Sequence, residues 1–344
     1  MIYDILMPGE EAAAKRASPV AVSPPVGVVG VGHMGGAIAR TLLREGIPVI
    51  AYDVRAEALD RLEAEGARRA GSLEDIASAA DIISIVVVDD VQLRSVFDAL
   101  LPAVRPRTTL VVHSTVQPDT ITELAARASE RGLDLVDATV TGGAERAELG
   151  TLTVMVGGSA AAVRRAWPVF EAIGANVFHV GPTGAGAAIK VVNNLMSYGT
   201  YALALEAMTL ATAFGIGEDT VTEILCTGAA DSRVLRTWGR TDRTRAEQRG
   251  THFSDDVAKD VRNAAVTAAR RGVVLPLASA IAGCLPDQVR ARDERLRREP
   301  QPPAPRCSIC AQDLAAPFRP LGFHVECAHP VPARLQPPRD VCAE

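Results

Sequence analysis

Lys190 is the one formally charged side chain, histidine counted as neutral, between Val180 and Leu205 in VGPTGAGAAIKVVNNLMSYGTYALAL. An ammonium in apolar surroundings has its charged form disfavoured, so its pKa moves toward the range where it exchanges protons near neutral pH. That makes Lys190 a candidate general acid/base; a lysine snorkelling to water from the side of a helix is the structural alternative. Asn194 follows four residues later, on the same helix face. An ammonium and a carboxamide therefore point the same way, whereas Asn193 lies on another face. Upstream, Thr141 and the amides of Gly142 and Gly143 can form a small nest for a carboxylate or similar anion, or simply a Gly-Gly turn.

Gly30, Gly32 and Gly35 spell GxGxxG between an apolar strand and a helical segment. Glycine there lets the backbone approach a pyrophosphate held at the helix N-terminus. The glycines alone are weak, because such a turn also serves helix–sheet packing. Asp53 closes the next strand, 18 residues after Gly35, where an acid hydrogen-bonds an adenosine ribose. A nicotinamide dinucleotide is the expected cofactor. Asp53 favours NAD by repelling a 2′-phosphate, while the guanidinium of Arg55 offers a partner for that phosphate in NADP.

These groups need a frame. VGVVGVG, MGGAIARTLLREG and PVIAYDV read as strand, helix and strand, and the apolar runs DIISIVVV, TTLVVHS, LDLVDATV and TLTVMVGG alternate with helical segments. The expected fold class is α/β, an N-terminal Rossmann doubly wound parallel sheet over residues 26–186 followed by an all-helical domain over 187–298. Residues 187–214 form one long apolar helix in this reading. Residues 1–25, rich in Pro, Ala and Glu, are expected to be a disordered extension. Ten of the 22 prolines lie from Pro300 onward, so 299–344 reads as a Pro-rich linker and tail.

Four blocks in order, GVGHMG, DATVTGG, GAGAAIKVVNNL and FSDDVAKDVRNA, resemble the 3-hydroxyisobutyrate dehydrogenase, or β-hydroxyacid dehydrogenase, family from about Val26 to Leu285. The resemblance implies Lys190 as the catalytic lysine, with Asn194, Thr141, Gly142 and Gly143 around a substrate carboxylate. It implies that His33 and Met34 share the cofactor turn with Gly30, Gly32 and Gly35, and that Val87 and Val88 belong to a loop covering the cofactor. Thr115 matches a position near the nicotinamide ribose, and Lys259 a second lysine near cofactor and substrate; the alternative for Lys259 is a solvated lysine beside Asp260. A helical domain that dimerises and a small anionic hydroxyacid substrate follow from the same likeness. The chain departs from the pattern with Thr139 in place of Pro and Thr141 in place of Ser. The substrate's side group is therefore left open. An imine reductase and a non-catalytic cofactor-sensing adaptor are the competing readings, and retention of Lys190 with Asn194 argues against the first.

Composition narrows the partners. A net charge of −5, with acids interrupting the arginines from Arg290 to Arg298, carries no polyanion-binding signature, so nucleic acid is not expected. No basic segment followed by an apolar core opens the chain, and Val191 to Leu205 is too short and too polar to cross a membrane. The expected compartment is the cytoplasm. Cys307 and Cys310 form CxxC, and His324 and Cys327 form HxxC, four ligands suited to a tetrahedral structural zinc. The alternative is a disordered tail with incidental thiols.

Overall fold

The apolar runs assemble into one eight-stranded sheet in the computed structural model, which describes residues 24–239 and 252–298. In chain order the strands are β1 (Val26–Val29), β2 (Val49–Tyr52), β3 (Arg68–Arg69), β4 (Ile82–Ile85), β5 (Thr109–Val112), β6 (Asp134–Thr141), β7 (Leu152–Gly157) and β8 (Gly174–Gly181). Side by side they run β3-β2-β1-β4-β5-β6-β7-β8. Every pairing is parallel except β6 with β7. The link from Gly142 to Thr151 is shorter than the dozen or so residues a parallel crossover needs, so β7 returns antiparallel. The sheet is thus doubly wound through β6 and extended by a further pair, β7 and β8. The half-exposed β8 and the two-residue β3 are edge strands that the apolar runs did not announce.

Helices α1 (His33–Arg44), α2 (Ala56–Ala64), α3 (Leu73–Ala79), α4 (Asp90–Leu100), α5 (Pro118–Ser129), α6 (Gly143–Glu148) and α7 (Ala160–Ile173) connect the strands. Alternation along the strands sorts them onto two faces. Val26 and Val28 pack with Ile38 and Leu42 of α1 and Phe170 of α7, whereas Val29, Ile83 and Ile85 pack with Phe97 of α4 and Leu124 of α5. Burial on both faces explains why these strands read as continuous apolar runs.

Beyond the sheet the chain is helical among the described residues: α8 (Ala185–Ala213), α9 (Glu218–Leu225), α10 (Arg233–Arg236), α11 (His252–Arg270) and α12 (Pro276–Arg298). Tyr201, Ala202 and Leu205 of α8 bury against Val257 of α11 and Leu285 and Val289 of α12. A polar clasp ties α9 to α12: Arg292 bonds both oxygens of Glu218 at 3.1 and 3.2 Å and lies 4.1 Å above the Trp238 ring, whose Nε1 also donates to Glu218 at 2.6 Å. The expected tail, with Cys307, Cys310, His324 and Cys327, and nearly all of the 1–25 extension lie outside the described residues. Among the described residues, no group of three or more His, Cys, Asp or Glu is arranged to hold a metal, and no helix is long and apolar enough to cross a membrane.

Candidate active site

The three glycines of the first turn do different jobs. Gly30 has φ +86°, and a Cβ there would stand 2.2 Å from the Val86 carbonyl; a Cβ on Gly35 would stand 1.9 Å from the Gly30 carbonyl. Both are required by the chain's own packing. Gly32, the N-cap of α1, meets only the flexible tip of Arg55 at 3.2 Å and offers no side-chain cap to the helix. The first amides of α1 are therefore left for an outside acceptor, the condition for holding a pyrophosphate. Asp53 faces the same turn, its Oδ2 accepting from the Val31 amide at 2.8 Å. Burial works to raise its pKa, but hydrogen bonds from Arg55 and Val31 outweigh it and hold the carboxyl below its ordinary range. The residues fit a dinucleotide. Two neighbours contribute less directly: His33 is exposed at the start of α1, and Met34 packs toward the core.

The long helix begins where β6 tells it to. Asp137, fully buried in β6, accepts from the amides of Gly184 and Ala187, each at 2.7 Å, and so caps the entry to α8. Burial pushes its carboxyl up to about 6 against the pull of those amides. Thr139 donates to the Gly186 carbonyl at 2.8 Å, so the hydroxyl at this departure from the family pattern is used to dock α8. A Cβ on Gly186 would stand 2.5 Å from the Met155 carbonyl, which shows how closely helix and sheet approach.

Lys190 consequently reaches the end of β6, where its Nζ donates to the Val140 carbonyl at 2.7 Å. Thr141 is the next residue, half-buried, and Gly142 and Gly143 follow with φ +132° and +79°. A Cβ on Gly143 would meet nothing within 4 Å, so the space beside its Cα is empty. Arg146 lies across Gly142, its Cδ 2.8 Å from where a Cβ would stand. Arg233 of α10 comes under the influence of Arg146; burial and that like charge lower its pKa, with Glu145 opposing. Burial brings Lys190 down to about 8, with the charge of Asp260 opposing that fall and Lys259 adding to it.

Asp260 is a buried acid beside the candidate lysine that the sequence pattern did not mark. Only 7 % exposed, it accepts from Asn194 Nδ2 at 2.7 Å and stands 3.6 Å from Lys259 Nζ, with the Tyr198 hydroxyl at 3.5 Å. Asn194 is thus held from two sides, by Asp260 of α11 and by Asn193 of its own helix, whose Nδ2 donates to the Asn194 Oδ1 at 3.0 Å. Lys259 in turn donates to the Val88 carbonyl at 2.7 Å and lies 3.5 Å from the Thr115 carbonyl. One lysine therefore ties α11 to both loops expected beside the nicotinamide. The Val87 amide donates to the hydroxyl of Ser114 at 2.8 Å, and Gln117 is clasped by Asn263 and Thr267 of α11, each at 2.8 Å. His113 is not a competing acid/base. Burial drives it down to about 4, and its ring bridges the Ala138 carbonyl and Ser84. An acid inside an apolar strand was a readable signal for Asp137. Asp260 carried none, because its partners come from a helix about 65 residues away in sequence.

A dinucleotide turn on a doubly wound sheet, joined by one helix to a lysine–carboxamide pair, defines an NAD(P)-dependent oxidoreductase of CH–OH groups. Matches to known proteins agree. Residues 25–181 match the NAD binding domain of 6-phosphogluconate dehydrogenase, and residues 184–295 match the NAD-binding domain of NADP-dependent 3-hydroxyisobutyrate dehydrogenase. The chain belongs to the 3-hydroxyisobutyrate dehydrogenase-like β-hydroxyacid dehydrogenase family. It is 37 % identical to 2-(hydroxymethyl)glutarate dehydrogenase of Eubacterium barkeri over 58 % of this chain and 67 % of the relative. It is 38 % identical to NAD-dependent L-serine dehydrogenase of Pseudomonas aeruginosa over 58 % and 68 %. The crystal structure of 3-hydroxyisobutyrate dehydrogenase from Salmonella typhimurium superposes with a TM-score of 0.65 at 34 % identity, over 75 % of this chain and 91 % of that one. An imine reductase from Pseudomonas sp., at 22 % identity, shares the fold alone.

Proposed function

We propose that this protein interconverts a 3-hydroxy acid and its semialdehyde, with Lys190 as general acid/base. The observation that carries the reading is the placement of a lysine with a pKa near 8 at the Val140 carbonyl, one residue from the Thr141–Gly143 turn. A bound nicotinamide supplies the hydride acceptor or donor. In oxidation the carbinol C–H leaves as hydride, and neutral Lys190 takes the hydroxyl proton; in reduction the ammonium returns that proton to the carbonyl oxygen. Asn194, held by Asp260, keeps the substrate oxygen and the lysine in register. Thr141 with the Gly142 and Gly143 amides receives the carboxylate, and the nearby Arg146 and Arg233 suit an anionic substrate. Serine and 2-(hydroxymethyl)glutarate, named for two relatives, both carry the hydroxyl on the carbon β to a carboxylate. Asp53 favours NAD as the cofactor.

The test is a panel of 3-hydroxy acids and semialdehydes with NAD(H) and NADP(H), followed by nicotinamide absorbance, for the native protein and Lys190→Ala. The expected result is turnover of at least one pair and a loss of roughly a hundredfold or more in kcat in the variant, with cofactor affinity retained. An active Lys190→Ala enzyme overturns the role of the lysine. Tight cofactor binding with no turnover on any pair overturns catalysis in favour of a cofactor sensor.

The partner we assign is a second copy of this chain. Ile189, Met196, Leu203 and Leu210 repeat every seventh residue along α8 and are 39, 66, 68 and 63 % exposed. An apolar stripe of that length on a 29-residue helix is the geometry of a helix–helix interface.

A further inference from the structure

Two arginines converge beside the Thr141–Gly143 turn with no carboxylate between them. Arg146 lies across Gly142, its Cδ 2.8 Å and its Cβ 3.0 Å from where a Cβ on that glycine would stand, two residues after the carbonyl that Lys190 grips. The backbone on either side of it is pinned. The Arg146 carbonyl accepts from the Thr151 amide at 2.8 Å, and the next carbonyl, that of Ala147, accepts from the buried Thr41 hydroxyl at 2.6 Å. Arg233 opens α10, which Leu235 anchors against Ala204 and Met208 of α8. The two guanidinium groups stand close enough for the charge of Arg146 to disfavour that of Arg233.

The neighbouring acids are committed elsewhere. Glu148 takes Arg40, and Asp231 takes Arg236 at 2.7 Å. Glu145 lends Arg233 some counter-charge without forming an ion pair with it. Among the described residues, no ion pair or hydrogen bond engages the guanidinium of Arg146 or of Arg233. Like charges brought together cost free energy unless an anion compensates them. Two arginines against Glu145 leave one positive charge over, and a substrate whose single carboxylate sits in the Thr141–Gly143 turn does not cancel it. A guanidinium fork suits a second oxyanion, which it takes through two parallel N–H bonds.

We propose that Arg146 and Arg233 hold a second anionic group of the substrate, so that the protein prefers 3-hydroxy acids whose side group ends in an oxyanion, a carboxylate or a phosphonate, over those whose side group is apolar. The inference rests on the reading of the Thr141–Gly143 turn as the seat of the first carboxylate, and it names the side group that this reading left open.

The test compares kcat/KM of the full chain, with NAD and with NADP, on three salts of matched shape: 2-(hydroxymethyl)butanoate, 2-(hydroxymethyl)succinate and 3-hydroxy-2-(phosphonomethyl)propanoate. Their side groups end in methyl, carboxylate and phosphonate. At least one dianion is expected to exceed the monoanion by about tenfold or more, the value of a charge-assisted hydrogen bond, and the better of the two identifies the group. Arg146→Met keeps a stem over Gly142 and should cut the dianion-to-monoanion ratio about ten- to a hundredfold, chiefly through KM, with part of it restored in Arg146→Lys. Arg233→Met should cut the ratio as well. Arginines with a merely structural role would lower all three substrates alike and leave the ratio where it was. A native ratio near one, or a ratio unmoved in either Met variant, overturns the second-anion site while leaving turnover of the monoanion and the role of Lys190 intact. Turnover of none of the three overturns the hydroxyacid reading on which the site rests.

Discussion

Replacing Asp260 with Asn keeps the shape of the group that holds Asn194 and removes its charge. The carboxylate raises the pKa of Lys190 and the neighbouring Lys259 lowers it, the balance with burial standing at about 8. Removing the acid therefore deletes the raising influence and leaves Lys259, which stood 3.6 Å from it, without that counter-charge. A carboxylate one side chain away from an ammonium, at an effective dielectric of about 20, contributes roughly 1–3 kcal/mol, which is on the order of one to two pH units. In the oxidative direction Lys190 must be neutral to accept a proton, so activity rises with pH through its pKa. The alkaline rise in kcat, centred near pH 8 in the native enzyme, should move down by about one unit or more in Asp260→Asn, with a lower plateau because the base is weaker. Lys259→Met should move the rise upward. The assay is kcat against pH for the native enzyme and both variants with saturating cofactor. Shifts of the same sign in the two variants, or a rise unmoved in Asp260→Asn, would refute the electrostatic linkage of α11 to Lys190.

The glycine turn separates packing from binding. Gly30→Ala and Gly35→Ala force contacts with backbone oxygens at 2.2 and 1.9 Å and should each lower Tm by roughly 10 °C or prevent folding. Gly32→Ala meets only the movable tip of Arg55, so it should melt within about 2 °C of the native protein yet bind cofactor less tightly. Equal destabilisation of all three would show that the turn is purely structural. The Glu218 clasp predicts acid sensitivity. Burial alone would raise its pKa, but Arg292, Trp238 and Arg295 hold it down to about 2, well below the unfolded value of 4.5. The stability it contributes, roughly 2 kcal/mol after allowing for partial exposure, is present above pH 4.5 and drains away as pH falls from there toward 2. Urea denaturation at several pH values should show that slope, and Glu218→Gln should flatten it. Introducing charge at the α8 stripe, with Leu203→Glu and Leu210→Glu together, should convert the proposed dimer to monomer in sedimentation velocity; an unchanged sedimentation coefficient would remove the stripe as the interface.

Much of the architecture was legible because each signal is local. Strands buried on both faces show as apolar runs, the glycine turn occupies six residues, and Lys190 and Asn194 share a helix face at a spacing of four. The antiparallel β7 and the edge strand β8 were harder to read, since pairing direction depends on the length of a connection and on which edge remains open.

By itself the sequence determined the βαβ cofactor unit, the order of sheet and helices, and the candidates Lys190, Asn194 and Thr141, all through periodicities and turns set within short windows. Tertiary structure alone decided what surrounds them. Asp137 became the cap of α8 only when β6 met the helix start, and Asp260 became the holder of Asn194 only when α11 packed against α8. Arg55 was a nearby cation in the sequence and is a fork closing over Asp53 in the fold. The physical reason is range. Local rules act over a few residues of chain, whereas a buried charge takes its value from whatever distant segment packing brings within a few ångströms.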